Sequence, residues 1–259
     1  MKLRIAGFVI LASGLVGCVS TPSASAPAIS SPEPAVTASP AVTASPAVTA
    51  SPAATFRLLG DVDAELDAGT YRWASERRGI EFPVILFTVP EGWMATGRFI
   101  RRSEPGADVA PVAMQFWDVG QVYGHPCQWE GTLFDPGPTV DDLATALIDI
   151  PLRKASAPID VTIDGYAGKY LEWSVPTDID FETCDADAEG HFFDSWTGDQ
   201  AGWGGDRYQQ GPGQVDRLWI LDVDGVRFVI DAFSMPVATD AELAELLAVV
   251  ESITFERDG

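Results

Sequence analysis

Arg217-Leu-Trp-Ile-Leu-Asp-Val-Asp-Gly-Val-Arg-Phe-Val-Ile-Asp-Ala-Phe233 sets the fold class of this chain. Two runs rich in β-branched and aromatic side chains flank Asp224-Gly225. That dipeptide favours a two-residue hairpin turn, because both central positions need positive φ. Each run is nearly continuous in apolar residues, which places the pair centrally in a sheet and not at its edge. A second pairing reads from Ile159-Asp-Val-Thr-Ile163 through Asp164-Gly165 into Lys169-Tyr-Leu-Glu-Trp173, and Gly168 after the turn predicts a longer or bulged connection. Further strands are expected at Thr70–Trp73, Val84–Val89, Arg98–Arg101 and Val112–Trp117.

Two segments carry helix-start signals. Thr139 with Asp142 three residues on resembles a capping arrangement, and Val140, Leu143 and Leu147 share a face until Pro151 stops the run. Thr239 with Glu242 is a better capping box. It leads into Leu243, Leu246, Leu247 and Val250 at helical spacing, with a short strand, Ser252–Glu256, to follow. Antiparallel hairpins with a few segregated helices give an α+β domain. Phe87-Thr-Val-Pro-Glu-Gly-Trp93 and the closing Glu251-Ser-Ile-Thr-Phe255 resemble the two ends of PsbP-like domains. The resemblance implies an antiparallel sheet flanked by helices, in a family whose members mostly serve as binding or assembly factors. Between those ends, Leu66-Asp-Ala-Gly-Thr-Tyr-Arg72 and the Cys127-x-Trp129 segment look more like exported proteins of high-GC bacteria.

The chain has 259 residues, with 38 acids against 16 bases and a net charge of −22. Such a surface repels phosphate backbones and anionic headgroups, so nucleic-acid binding and a polybasic membrane patch are excluded. At the front, Lys2 and Arg4 precede an apolar run from Ile5 to Val16, shorter than a membrane span of roughly 20 residues but of signal-peptide length. It ends in Leu15-Val16-Gly17-Cys18, which resembles the bacterial lipobox. The resemblance implies removal of residues 1–17, a diacylglycerol on the Cys18 thiol and a palmitate-type acyl group. Two or three acyl chains make a stable tether where one holds only marginally.

Residues 18–54 are then a linker of Ala, Pro, Ser, Thr and Val, with Ala-Val-Thr-Ala-Ser-Pro repeated at 35–40, 41–46 and 47–52. A repeat with Pro in every copy and no large apolar side chain cannot offset its ordering entropy, so it reads as a disordered spacer. At ~3.1 Å per residue it would reach on the order of 110 Å. Residues 55–259 form one globular domain that holds 37 of the acids and 14 of the bases, or −23. With Cys18 assigned to lipid, Cys127 and Cys184 are an even pair, and an exported chain most simply joins them in a disulfide.

Chemistry-bearing motifs are sparse. There is no Gly-x-Ser-x-Gly elbow, His-Glu-x-x-His, phosphate loop or dinucleotide fingerprint. His125 and His191 are the only histidines, and each reads as a structural hydrogen-bonding residue. Asp185-Ala-Asp187-Ala-Glu189-Gly190 matches the first half of a calcium loop, but its twelfth position is Trp196 where a bidentate Glu is needed. Calcium is therefore the weaker reading and a solvated acidic loop the stronger, with no other cofactor expected. The glycines between Gly198 and Gly213 predict a long mobile loop. Trp196, Trp203 and Tyr208 lie in the wider 181–214 loop, where they either present flat faces to a sugar or peptide or fold down as a lid, the lid being the preferred reading. Trp73, Trp117, Trp173 and Trp219 fall in predicted strands and read as core.

The resulting expectation is a monomeric, lipid-anchored envelope protein presenting an acidic binding or assembly domain to another envelope protein or a small ligand. A carboxylate-dependent envelope hydrolase is the alternative, since a glycosidase needs only two suitably spaced acids. With 37 acids in the domain, such a pair discriminates nothing.

Overall fold

The computed structural model describes residues 57–58, 64–74, 83–102, 109–198 and 205–257. All lie within one unit, Pro52–Gly259, and the expected signal peptide and linker fall outside the described residues. Asp224 and Gly225 take left-handed backbone, φ 53° and 84°. They join Val215–Val223 to Val226–Ser234 in an unbroken antiparallel register. This hairpin is central in a nine-stranded sheet, as its apolar runs predict. Tyr166–Ser174 and Lys154–Ala155 follow on one side, with Ile159–Ile163 also paired to Tyr166–Ser174. Val112–Trp117, Phe99–Arg102, Trp93–Thr96 and Ala64–Leu66 follow on the other.

Two four-stranded sheets complete the β-structure of the described residues. One is ordered Arg57–Leu58, Gly69–Trp73, Ile85–Val89, Thr254–Phe255; the other Asp206–Tyr208, Asp194–Gly198, Val119–Tyr123, Leu133–Phe134. Only the short Arg57–Leu58 contact with Gly69–Trp73 is parallel among these pairings. With helices α1 (Val140–Ile148) and α2 (Asp240–Glu251), the fold is α+β. Both helices start on the expected capping boxes, Thr139 with Asp142 and Thr239 with Glu242. Helix α1 ends at Ile148, before Pro151, with Asp149 as its C-cap.

Side-chain alternation splits the large sheet between two cores. Phe228, Ile230 and Ala232 face one core with Phe116, closed by Tyr71, Ile85 and Phe87 of the neighbouring sheet and by Leu246 and Val250 of α2. Leu218, Ile220 and Val229 face the other, closed by Leu143 and Leu147 of α1 and by Trp196. Trp73, Trp117 and Trp173 are buried as expected, whereas Trp219 is half-buried and packs on its cross-strand neighbour Tyr170 with ring centroids 4.9 Å apart. The stretches Phe87–Trp93 and Glu251–Phe255 touch, Thr88 N–H donating to Ser252 Oγ at 2.8 Å, and buried Trp93 donates its Nε1 hydrogen to Glu245 Oε1 of α2 at 2.6 Å.

Two expectations are corrected. The turn at Asp164-Gly165 is a tight one, φ 47° and 87°, with Ile163 directly paired to Tyr166. Gly168 is needed for another reason, the close approach of the next strand: a Cβ there would lie 2.1 Å from Ile220 O. The predicted 181–214 loop instead contains two strands, Asp194–Gly198 and Asp206–Tyr208, that pair antiparallel; residues 199–204 lie outside the described residues. Glycine content hid the strands because buried Trp196 and Arg207 anchor them.

The expected disulfide joins Cys127 to Cys184 with Cα atoms 4.4 Å apart. It packs with Val175 and Phe193 in a small third core. Gly168→Ala is expected to destabilise the domain by at least about 2 kcal/mol, because backbone must shift to admit the methyl group. Gly205→Ala, with open space around it, should stay within about 0.5 kcal/mol. Denaturant midpoints of the two variants check this contrast.

Candidate functional site beneath the 194–208 hairpin

Asp216 and Asp231 lie in the two strands of the central hairpin, and the register puts both on one face of the large sheet. Asp216 pairs with Phe233 and Leu218 with Asp231, so the two carboxylates are diagonal neighbours. Both are fully buried. Arg207, from the strand Asp206–Tyr208, reaches between them. Its Nη2 donates to Asp216 Oδ1 at 2.6 Å and its Nε to Asp231 Oδ2 at 2.5 Å, while Nη1 donates to Tyr208 O. Gln214 Nε2 adds a hydrogen bond to Asp216 Oδ1 at 2.7 Å.

Burial works against the Arg207 charge, but Asp231 and Asp216 outweigh it and hold its pKa above the ordinary value. Burial pushes Asp231 up, Arg207 pulls it down and Asp216 adds repulsion, for a net rise.

A second arginine enters the same region from the turn after α1. Arg153 keeps its backbone partly exposed, but Nε and Nη1 are closed off from solvent. Its Nη2 donates to Gln209 Oε1 at 2.6 Å, Ser195 Oγ at 2.7 Å and Asp194 O at 3.3 Å. The guanidinium lies 3.7 Å from the ring centre of Trp173 and 4.6 Å from that of Phe193. Asp194, Ser195 and Trp196 are consecutive yet all buried, because the strand pairing shifts register between Asp194 and Trp196.

The aromatic rings continue this stack. Trp173 and Trp196 are parallel, 3° apart in plane with centroids 6.0 Å apart, and Trp196 meets Trp117 edge-on at 5.9 Å. Arg98 caps the far end, 3.5 Å above Trp117. Burial lowers Arg98 to about 10 and Arg153 to about 9, with nearby carboxylates opposing the fall in both.

Energetically the two buried arginines differ. Arg207 has two carboxylates to offset a desolvation cost of several kcal/mol. Arg153 has no carboxylate within 4 Å among the described residues. Cation–π contact contributes about 2 kcal/mol when desolvated, and hydrogen bonds from the charged guanidinium add about 1.5–3 kcal/mol each. Asp194 is pushed up to about 7 by burial and by repulsion from Asp206 and Asp187, against the pull of Arg153.

The residues singled out from sequence distribute as follows. Trp196 presents no face to solvent, being 0% exposed in the aromatic stack. Tyr208 is 42% exposed and packs on Phe192. Trp203 and Cys18 lie outside the described residues. Asp185 and Asp187 cap backbone: Asp185 Oδ2 accepts from Glu130 N–H at 2.9 Å, and Asp187 Oδ1 accepts from the N–H groups of Glu189 and Gly190. Among the described residues, no three His, Cys, Asp or Glu side chains gather as a metal would need. His125 Nδ1 accepts from Gln128 N–H and His191 Nδ1 bonds Cys184 O, both within local turns.

A separate cleft of about 410 Å³ opens beside the start of α1, lined among others by Asp141, Asp160, Lys169, Asp222 and Arg227. Lys169 Nζ is engaged there by Asp160 at 2.6 Å and Asp141 at 3.3 Å, and Arg227 donates to Val119 O. Comparison of the chain with protein-family models and with curated proteins finds no match. Function is therefore argued from sequence order and from these sites.

Arg207→Ala leaves two buried carboxylates without a partner and should cost about 3–5 kcal/mol. Calorimetric melting should show the deficit shrinking on acidification, as Asp231 takes up a proton. Asp194 gives a second pH effect. Its folded pKa of about 7 exceeds an unfolded value near ~3.9. Its stabilising protonated state is thus fully held below the lower value and lost as pH rises through the higher one. Asp194→Asn should match the wild type near pH ~4 and melt increasingly above it as pH rises to about 7.

Proposed function

We propose that this chain is a cell-envelope lipoprotein, held through Cys18, whose acidic α+β domain is a binding or assembly module. The observation that carries the reading is the order of segments in the sequence: basic leader, short apolar run, Gly17-Cys18, Pro-rich linker, then a domain at −23. The Cys127–Cys184 bridge supports an oxidising, extracytoplasmic setting. The resemblance of Phe87–Trp93 and Glu251–Phe255 to the two ends of PsbP-like domains supports a binding or assembly role of the kind that family mostly serves. The partner is another envelope protein or a small ligand, taken by a monomer. The domain's charge keeps it off the anionic surface to which the lipid tethers it.

In cells fed an alkynyl palmitate, the wild-type chain should carry the label and sediment with membranes. Cys18→Ser should lose the label and move to the soluble extracytoplasmic fraction. A Cys18→Ser chain that stays with the membrane, beside an unlabelled wild type, would overturn the anchor. The binding role predicts a defined cross-linked species in intact wild-type cells that the untethered variant fails to form.

A further inference from the structure

Arg153 is oriented by its surroundings more firmly than its charge is neutralised. Leu152, just before it, sits in the left-handed region at φ 58° and stays exposed, while the Arg153 side chain turns inward. Hydrogen bonds to Ser195, Gln209 and Asp194 all fall on Nη2. Nε and Nη1 are buried with no acceptor among the described residues. Three further buried donors nearby share that condition: Gln209 Nε2, Trp173 Nε1 and Trp196 Nε1. Because Gln209 Oε1 accepts from both Arg153 and Ser195, the orientation of its amide is fixed with the NH2 group unspent. Against these donors stand three buried carboxylate oxygens without a partner, Asp194 Oδ1, Asp216 Oδ2 and Asp231 Oδ1.

A few ångströms of sheet away, Arg207 has two carboxylates of its own. The chain thus places counter-charges in contact with one buried arginine, while Asp216, Asp231 and Asp194 act on the other only through space. A cluster of preoriented N–H donors around a desolvated guanidinium, with a deficit of acceptors, is complementary to an oxygen-bearing anion.

We propose that Arg153, with Gln209 and the Trp173 indole, forms a binding site for the oxyanion group of a small acidic ligand, a carboxylate or a phosphate. This deepens the binding-module reading by naming a ligand class, and it rests on that reading only for the role such a ligand would play. The domain's net charge of −23 repels anions at long range, so recognition here is by short-range donors and not by steering.

The test uses the full chain in detergent, titrated with sodium acetate and, separately, with sodium phosphate at constant ionic strength. Calorimetry and tryptophan fluorescence are read together, since Arg153 lies against Trp173. At least one probe should bind saturably. Acetate alone identifies a carboxylate site, and phosphate alone a tetrahedral one. Arg153→Gln should weaken that binding at least about tenfold. Gln209→Glu keeps the side-chain size and places a carboxylate against Arg153. It should abolish probe binding and raise Tm above the wild type, and it decides the matter if Arg153→Gln fails to fold. Absence of saturable binding by either probe, or unchanged binding in Gln209→Glu, would overturn the site while leaving the Cys18 anchor and its labelling test untouched.

Discussion

Arg207 fixes a relation between two sheets that packing alone would leave adjustable. Its guanidinium leaves the small sheet, crosses the second core and meets two carboxylates set diagonally on the large sheet. Apolar side chains at such an interface can slide past one another at small cost, but three buried charges cannot. Everything above that face inherits its position from this contact. The strand carrying Arg207 aligns the strand carrying Trp196, Trp196 seats against Trp173, and Trp173 receives Arg153. A shift in Arg207 would therefore be felt along the whole ring stack.

The acidic character of the chain takes on two forms. Most carboxylates are surface groups that set solubility and long-range repulsion. Asp194, Asp216 and Asp231 are the buried ones among the described residues, and all three lie around the two arginines under the hairpin. Surface acids act through a field that salt screens over about 8–10 Å. The buried ones act through contact geometry and desolvation. Only the latter can distinguish one ligand group from another.

Legibility in the sequence follows the range of the interaction involved. Asp-Gly between apolar runs, and Thr followed by Asp or Glu at the third place, are local devices; both hairpins and both helices could be located from them. Gly168 was visible as an exception inside a strand, but its cause, the passage of Ile220 O, belongs to a residue fifty positions away and leaves no local trace. Asp216 and Asp231 were detectable as acids in the strands of the central hairpin. Their meaning depended on Arg207, which sits in a glycine-rich stretch whose composition argued for a loop. Trp196 could be read two ways for the same reason: a tryptophan among glycines resembles either an exposed binding face or a lid until the sheet that covers it is known. Arg153 gave no signal at all, since a single arginine after a proline turn is usually solvated.

The strand order carries a consequence for how this domain comes to exist. Both cores are built on the hairpin 215–234, and the short strand Thr254–Phe255 pairs with Ile85–Val89 near the domain's start. Strands that emerge first from the ribosome can form local hairpins, but they have no surface to pack on until almost the last of the chain has been made. Such long-range pairing makes folding slow. The early strands of this domain wait on its late ones, so the pace of its folding is set by strand order before any single side chain has a say.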